Sequence, residues 1–206
     1  MKKVGIMGGT FNPIHNGHLT LAAIAKKTAQ LDEVWFMPSG LPAHKSNSEL
    51  LSAKVRLHLV ELAIAGNSGF QASSFEIDRD GFTYTADTMV ALTIAYPDTE
   101  FFFIIGGDSL MKFHHWVRPD VISAHTTLLA AGRNGYSKEQ LLQQAEQLKQ
   151  LFETKIKFLD MPELNISSNA IRTACRQKQY TAIQNMVPKS VLHYIREQSL
   201  WTLPMN

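Results

Sequence analysis

The sequence predicts an α/β fold in which a doubly wound parallel sheet carries helices on both faces, with a small helical part at the C-terminal end. Three observations predict it. Apolar runs of strand length alternate with segments of helical periodicity along the chain, which is the pattern of βαβ units. Residues 101–105 are apolar throughout, as a central parallel strand buried on both faces must be. A Gly8-Gly9 turn joins the first apolar run to a helix, as in Rossmann-like folds.

The first half of the chain predicts three strands, each followed by a helix. The strands are expected over residues 3–7, 33–38 and 70–77, and the helices over residues 19–25, 50–65 and 85–95. Gly66 directly follows the second helix and is a typical C-terminal cap residue. In the third helix we expect Met89, Leu92 and Ile94 to contact the core.

The second half continues the alternation. The strands are expected over residues 101–105, 126–131 and 156–159, and the helices over residues 120–122, 137–152, 167–177 and 189–198. Ser137 and Gln140 have the spacing of a capping box at the start of the longest helix. The sequence contains no repeat, low-complexity tract or linker, so residues 1–206 are predicted to form a single domain.

Length and composition restrict the classes of function. The chain has 206 residues, of which 45% are hydrophobic and 18% charged, as in a globular protein with a proper core. A formal charge of +2 offers no general electrostatic basis for binding nucleic acid. No apolar run is long enough to span a membrane. The single cysteine, Cys175, excludes an internal disulfide, so we expect a cytoplasmic protein.

The most informative stretch runs from Gly8 to His18, between the first strand and the first helix. Its glycines let the backbone approach a ligand, and the free N–H groups of a helix start attract phosphates. His15 and His18 are three residues apart and share one face of the first helical turn. There they could donate to the oxygens of a transferring phosphoryl group. We therefore assign neither histidine to the core.

Three other interpretations of this stretch are weaker. A dinucleotide-binding fingerprint requires G-x-G-x-x-G, a spacing that Gly5, Gly8 and Gly9 do not have. A zinc motif such as H-E-x-x-H supplies a glutamate, whereas residues 15–18 read His-Asn-Gly-His. The two histidines could also be a helix cap and a surface residue, but their position directly behind Gly-Gly-Thr-Phe disfavours this.

A second candidate segment follows the strongest strand, where Gly106, Gly107 and Asp108 occur in succession. Ligands of open α/β sheets bind at the carboxyl ends of the strands. Asp108 could bind a ribose hydroxyl there. Alternatively, it could simply cap the next helix.

A third candidate segment covers residues 165–172, where two serines stand at a predicted helix start with an arginine one turn inside. Hydroxyls, free N–H groups and the Arg172 guanidinium together could hold a triphosphate. The alternative is an ordinary helix cap made by Ser167 or Ser168.

Residues 8–18 resemble the signature of the H-x-G-H nucleotidyltransferase superfamily, which includes the class I aminoacyl-tRNA synthetases. The K-M-S-K-S loop of those synthetases is absent. Length and downstream motifs make nearly the whole chain similar to the bacterial nicotinate-nucleotide adenylyltransferases. The resemblance implies adenylyl transfer from ATP to nicotinate mononucleotide, a step of NAD biosynthesis, with Mg²⁺ accompanying the ATP. The oligomeric state is left open, a homodimer included.

The resemblance also assigns roles to individual residues. It implies that His15, His18 and Arg172 are catalytic. ATP would contact Gly8, Gly9, Thr10, Phe11, His18, Gly106, Asp108, Ile166, Ser167, Ser168 and Arg172. The acceptor would contact Lys45, Thr85, Trp116 and Arg133, with a half-exposed Trp116 ring stacked on the pyridine.

Two positions qualify this assignment. Asn12 stands where the family usually has aspartate, which argues against direct metal binding at this position. Arg56 lies on the second helix, where a lone arginine is usually solvated or paired with an acidic residue, so we give it little weight as an acceptor-binding residue. Other acceptors remain open, namely nicotinamide mononucleotide, phosphopantetheine or a phosphoalcohol that receives a cytidylyl group. So does a nucleotide-binding sensor without turnover.

Overall fold

The computed structural model describes residues 1–40, 50–132 and 135–202. Its six strands form one parallel sheet in the order β3-β2-β1-β4-β5-β6, which is the strand order of a Rossmann fold. The strands are β1 (Lys2–Gly9), β2 (Glu33–Pro38), β3 (Phe70–Ala72), β4 (Thr99–Ile105), β5 (Thr127–Ala131) and β6 (Lys155–Leu159). The predicted doubly wound sheet is therefore confirmed.

Strand β3 is shorter than predicted, because it ends at Ala72 and not at residue 77. Ser73 still donates its N–H to the Phe36 carbonyl of β2 at 2.9 Å. The Ser73 hydroxyl then accepts the N–H of Phe75 at 3.3 Å. A serine that bonds to the backbone two residues ahead offers the chain a turn in place of the ladder.

Eight helices connect and cover the strands within the described residues. They are α1 (Asn16–Ala29), α2 (Ala53–Ile64), α3 (Thr85–Ala95), α4 (Gly107–Lys112), α5 (Pro119–His125), α6 (Lys138–Phe152), α7 (Ser168–Arg176) and α8 (Lys189–Glu197). Single turns of 3-10 helix occur at Phe113–His115 and Tyr180–Ile183. The predicted capping box of Ser137 and Gln140 is present in α6. Helix α4 was not predicted, because its six residues are too few to show a helical period.

Helices pack on both faces of the sheet, as predicted. Phe102 and Ile104 of β4 belong to one buried cluster, with residues of α1, α2, α7 and α8. Phe101, Phe103 and Ile105 belong to the other, with residues of α3, α5 and α6. Successive side chains of a strand point to opposite faces. Residues 101–105 of β4 are all apolar because they supply both cores.

Two predictions about helix faces were wrong. Met89 and Leu92 are fully buried, but Ile94 is 76% exposed because it lies off their shared stripe. On α2 the buried positions are Arg56, Leu59, Val60 and Ile64. Arg56 is therefore not a solvated or acid-paired surface residue but is only 1% exposed.

The C-terminal helices pack against the first part of the chain. The Met186 carbonyl accepts the first N–H of α1, from Asn16, at 2.8 Å. Ser190 of α8 donates its hydroxyl to the Leu62 carbonyl of α2 at 2.8 Å. The C-terminal part thus completes the start of the helix that carries the two histidines. None of the helices described is both long and apolar enough to cross a membrane.

Candidate active site

A cavity of about 380 Å³ lies at the carboxyl ends of β1 and β4. From β1 the chain continues to β2, toward one edge of the sheet. From β4 it continues to β5, toward the opposite edge. Such a reversal of strand order opens a crevice in which ligands bind. Of the predicted residues, those that line the cavity are Gly8, His15, His18, Gly106, Trp116 and Ile166. The structure therefore brings together residues from four separate segments of the sequence.

The two histidines form one unit at the start of α1. His15 is the N-cap residue, and its main-chain N–H donates to Nδ1 of His18 at 3.2 Å. The two rings stack with their centroids 3.7 Å apart. The predicted placement on one face of the first turn is confirmed. The expectation that neither belongs to the core was wrong for His15, which is 8% exposed.

Burial makes both imidazoles neutral at pH 7. It lowers the pKa of His15 to about 4. It also lowers the pKa of His18 well below 6.5, and the neighbouring His15 lowers it further. Because Nδ1 of His18 accepts the His15 N–H, the neutral ring carries its proton on Nε2. His18 can therefore donate one hydrogen bond from Nε2.

His15 also has a buried polar atom without a partner. Its Nδ1 finds no hydrogen-bond partner among the described residues. A Cβ added at Gly17 would lie 3.0 Å from this nitrogen, so glycine at the third position of His-Asn-Gly-His leaves room for the ring. Buried polar atoms are usually satisfied, and an exception beside a cavity indicates a ligand site.

The turn after β1 approaches the cavity through its backbone. A Cβ added at Gly8 would lie 3.2 Å from the Phe103 ring. Phe11 is 2% exposed, and its ring packs edge-on against His18 with centroids 5.1 Å apart. The Phe11 side chain therefore belongs to the core, and only its backbone can contact ATP. The predicted ATP contacts of Gly9 and Thr10 stay predictions.

The third candidate segment, residues 165–172, is hydrogen-bonded to this turn. Ser167 caps α7, because its hydroxyl accepts the N–H of Ala170 at 3.1 Å. The Ser168 hydroxyl donates to the Pro13 carbonyl at 2.9 Å. Arg172 donates from Nη1 to the Asn12 carbonyl at 3.0 Å. The start of α7 thus lies against the histidine segment, as a shared triphosphate site requires.

Asn12 is a structural link within the site. It is 8% exposed, and its Oδ1 accepts the N–H of Leu51 at 3.1 Å. Its carbonyl accepts the bond from Arg172. An aspartate carboxylate could accept the Leu51 N–H equally well, and the bond from Arg172 goes to the main chain, so asparagine in place of the family's usual aspartate leaves both bonds possible.

Asp108 does not cap its helix, contrary to the alternative interpretation. Gly106 is the N-cap of α4, and Asp108 lies exposed in the first turn. Asp108 lies outside the lining of the cavity, whereas Gly106 is part of it. Its predicted contact with ATP remains a prediction.

The predicted acceptor residues are only partly described. Trp116 is half-buried, as expected, and its ring stands perpendicular to the Phe103 ring at a centroid distance of 6.0 Å. Thr85 begins α3 and lies outside the cavity lining. Asp87 of the same turn pairs with Arg118, two residues after Trp116. Lys45 and Arg133 lie outside the described residues.

Comparison with known proteins agrees with this geometry. Residues 6–174 match the cytidylyltransferase-like family. The chain is 45% identical to a protein of Lachnoclostridium phytofermentans over 95% of this chain and 96% of that one. It is 39% identical to a Clostridium acetobutylicum protein over 98% and 100% of the two chains. Both proteins carry the name "Probable nicotinate-nucleotide adenylyltransferase".

A solved structure shares the fold. It is the Plasmodium falciparum nicotinic acid mononucleotide adenylyltransferase complexed with NaAD. The match has a TM-score of 0.79 at 20% identity and covers 98% of each chain. From the family match and the bacterial relatives, we conclude that the chain belongs to the cytidylyltransferase-like family and, within it, to the nicotinate-nucleotide adenylyltransferases.

Proposed function

We propose that this protein transfers the adenylyl group of ATP to nicotinate mononucleotide, a step of NAD biosynthesis, as a single nucleotidyltransferase domain of the cytoplasm. The observation that carries the proposal is the neutral histidine pair in the cavity at the carboxyl ends of β1 and β4. The chain is also 45% identical to a protein named as a probable nicotinate-nucleotide adenylyltransferase.

The reaction is an in-line displacement. A phosphate oxygen of nicotinate mononucleotide attacks the α-phosphorus of ATP, and the bond from that phosphorus to the oxygen of the β-phosphate breaks. The products are deamido-NAD and pyrophosphate. Because the nucleophile is already anionic, positioning and charge stabilisation supply the catalysis.

Each end of the site has its own residues. His18 donates from Nε2 to the oxygens of the reacting phosphate, and the neighbouring His15 ring also donates a hydrogen bond to the phosphate oxygens. Ser168 and Arg172 hold the triphosphate, and their bonds to Pro13 and Asn12 keep them next to the histidines. Trp116, Thr85, Lys45 and Arg133 bind the acceptor. The placement of Trp116 in the same cavity as His18 supports this division.

The metal would enter with the nucleotide. Nucleotidyltransferases generally use a divalent metal together with ATP, and we propose that here it is Mg²⁺. The described lining of the cavity contains no carboxylate, and no cluster of three metal-binding side chains occurs in the described part of the chain. Phosphate oxygens, which Mg²⁺ prefers, would therefore hold the ion and let it neutralise the leaving pyrophosphate.

Pyrophosphate release by the purified protein tests the proposal. ATP is offered with nicotinate mononucleotide, nicotinamide mononucleotide or phosphopantetheine, and CTP replaces ATP in parallel reactions. We expect the highest kcat/KM with ATP and nicotinate mononucleotide. A higher kcat/KM with another pair of substrates would show that the protein catalyses that reaction instead. Binding of ATP without release from any pair would identify a sensor.

A further inference from the structure

The most deeply buried charge among the described residues is Arg56, on the first turn of α2. It is 1% exposed. Only desolvation perturbs its pKa, in the downward direction, and no carboxylate among the described residues pairs with it. A guanidinium stays charged in proteins, and a buried charge is costly unless its hydrogen bonds are met. The hydrogen bonds of this guanidinium must therefore offset the cost of burying its charge.

Four main-chain carbonyls surround the guanidinium. Nε donates to Leu51 at 3.1 Å and Nη1 to Thr10 at 2.8 Å. Nη2 donates to Ser39 at 2.6 Å and to Gly40 at 3.0 Å. One side chain therefore joins the turn after β1, the end of β2 and the residues that precede α2. The planar fork of arginine meets such a set of fixed acceptors, and the single ammonium of lysine does not.

The bond to Thr10 sets the orientation of the next peptide group. In a planar trans peptide, the carbonyl and the N–H point in opposite directions. Since the Thr10 carbonyl points at Arg56, the N–H of Phe11 points away from it. Phe11 is 2% exposed, has a φ of +48° and finds no acceptor for this N–H among the described residues. A strained residue with an unmet buried donor is typical of a ligand-binding turn.

We propose that Arg56 is a positioning residue for phosphate binding, which acts through the Thr10–Phe11 peptide and does not itself touch the substrate. Its bond to Thr10 holds the Phe11 N–H in the orientation that a phosphate oxygen needs. Its bonds to Ser39 and Gly40 prevent this turn from moving relative to β2. The inference rests on the proposed function only in taking the phosphate ligand to be ATP.

Substitution of Arg56 separates this role from a general effect on folding. Arg56→Lys keeps the charge and loses the fork. Val60→Ala, one turn further along α2, removes buried volume but none of the hydrogen bonds that Arg56 makes. Thermal melting first establishes that each variant is folded. Calorimetry then measures the Kd of α,β-methylene-ATP, which has the phosphates, and of adenosine, which lacks them.

In Arg56→Lys we expect the Kd of α,β-methylene-ATP to rise at least fivefold, the Kd of adenosine to change less than twofold, and kcat to fall at least tenfold. In Val60→Ala all three should stay within twofold of the unmodified protein. Equal weakening of both ligands by Arg56→Lys, or losses of the same size in Val60→Ala, would overturn the positioning role. Binding without pyrophosphate release by the unmodified protein would instead refute only the proposed function.

The unmodified protein provides a test that needs no variant to fold. Amide hydrogen exchange reports the protection of single N–H groups. Exchange at Phe11 should slow at least tenfold with saturating α,β-methylene-ATP and less than twofold with saturating adenosine. Equal exchange with both ligands would show that this N–H does not bind phosphate, and the proposal would fail.

Discussion

Replacement of His18 by alanine is the sharpest test of the mechanism. His18 lines the cavity, and its neutral ring presents Nε2–H because Nδ1 is engaged by the His15 N–H. In transition-state stabilisation, the loss of one such donor costs about 3–4 kcal/mol. We therefore expect kcat to fall by roughly 10²–10³ in His18→Ala. The measurement is the initial rate of pyrophosphate release at saturating ATP and nicotinate mononucleotide.

The same substitution also lowers the free energy of unfolding. It removes the acceptor for the N-cap N–H of α1, worth about 1 kcal/mol. It also removes the contacts of the ring with His15 and Phe11, worth roughly another 1 kcal/mol. A loss of about 2 kcal/mol should lower the Tm of a domain of this size by about 4–8 °C. Rates must be measured well below that melting point.

His18→Gln separates the two roles of the side chain. Glutamine is a normal capping-box residue at this third helical position, so its Oε1 can accept the His15 N–H again. We expect the Tm to recover toward that of the unmodified protein, while kcat stays at least about tenfold low because the amide does not reproduce the imidazole donor. A folded His18→Ala protein with kcat within fivefold of the unmodified value would refute the assigned role.

Three further predictions concern pH, ATP and acceptor choice. Because burial lowers the pKa of His15 to about 4, the unfolded chain takes up this proton first as the pH falls. The free energy of unfolding should then be level above pH 7 and decline from about pH 6.5 to pH 4, by about 3 kcal/mol from this group; urea melts of His15→Gln that decline equally would contradict this. Arg172→Ala should lower kcat/KM for ATP by the equivalent of about 1.5–3 kcal/mol. A change in the acceptor KM alone would mean that Arg172 binds the acceptor and not the triphosphate. Nicotinate mononucleotide should be preferred at least about tenfold over the nicotinamide compound, because an amide leaves a site donor unpaired. Trp116→Ala should lower kcat/KM for both mononucleotides with little change in the ratio of the two values. Equal kcat/KM for the two with the unmodified protein would exclude nicotinate specificity.

The order and type of the main elements could be predicted from the sequence because they depend on local patterns. All six strands and the sheet with helices on both faces were predicted from apolar runs and helical periods. The histidine pair was placed on one helical turn from its spacing alone. The short helix α4 was missed, since it carries too few residues for a period to appear.

The burial and the role of Arg56 could not be predicted from the local sequence. A periodic signal existed, since Arg56 is in phase with Leu59, Val60 and Ile64 on the buried stripe of α2. A lone arginine on that helix was nevertheless expected to be solvated or paired with an acidic residue. The role of Arg56 depends on the carbonyl of Thr10, 46 residues away, which no period within one helix can reveal.

The sequence by itself determined the fold, the candidate residues and the family resemblance, because hydrophobic period, turn residues and motif spacing are written along the chain. Only the tertiary structure decided which atoms of those residues are free to act. The His15 N–H selects the proton position of His18, and Arg172 reaches the carbonyl of Asn12, 160 residues earlier. Burial and hydrogen bonding between distant segments determine protonation and orientation, and both arise only when the chain has folded.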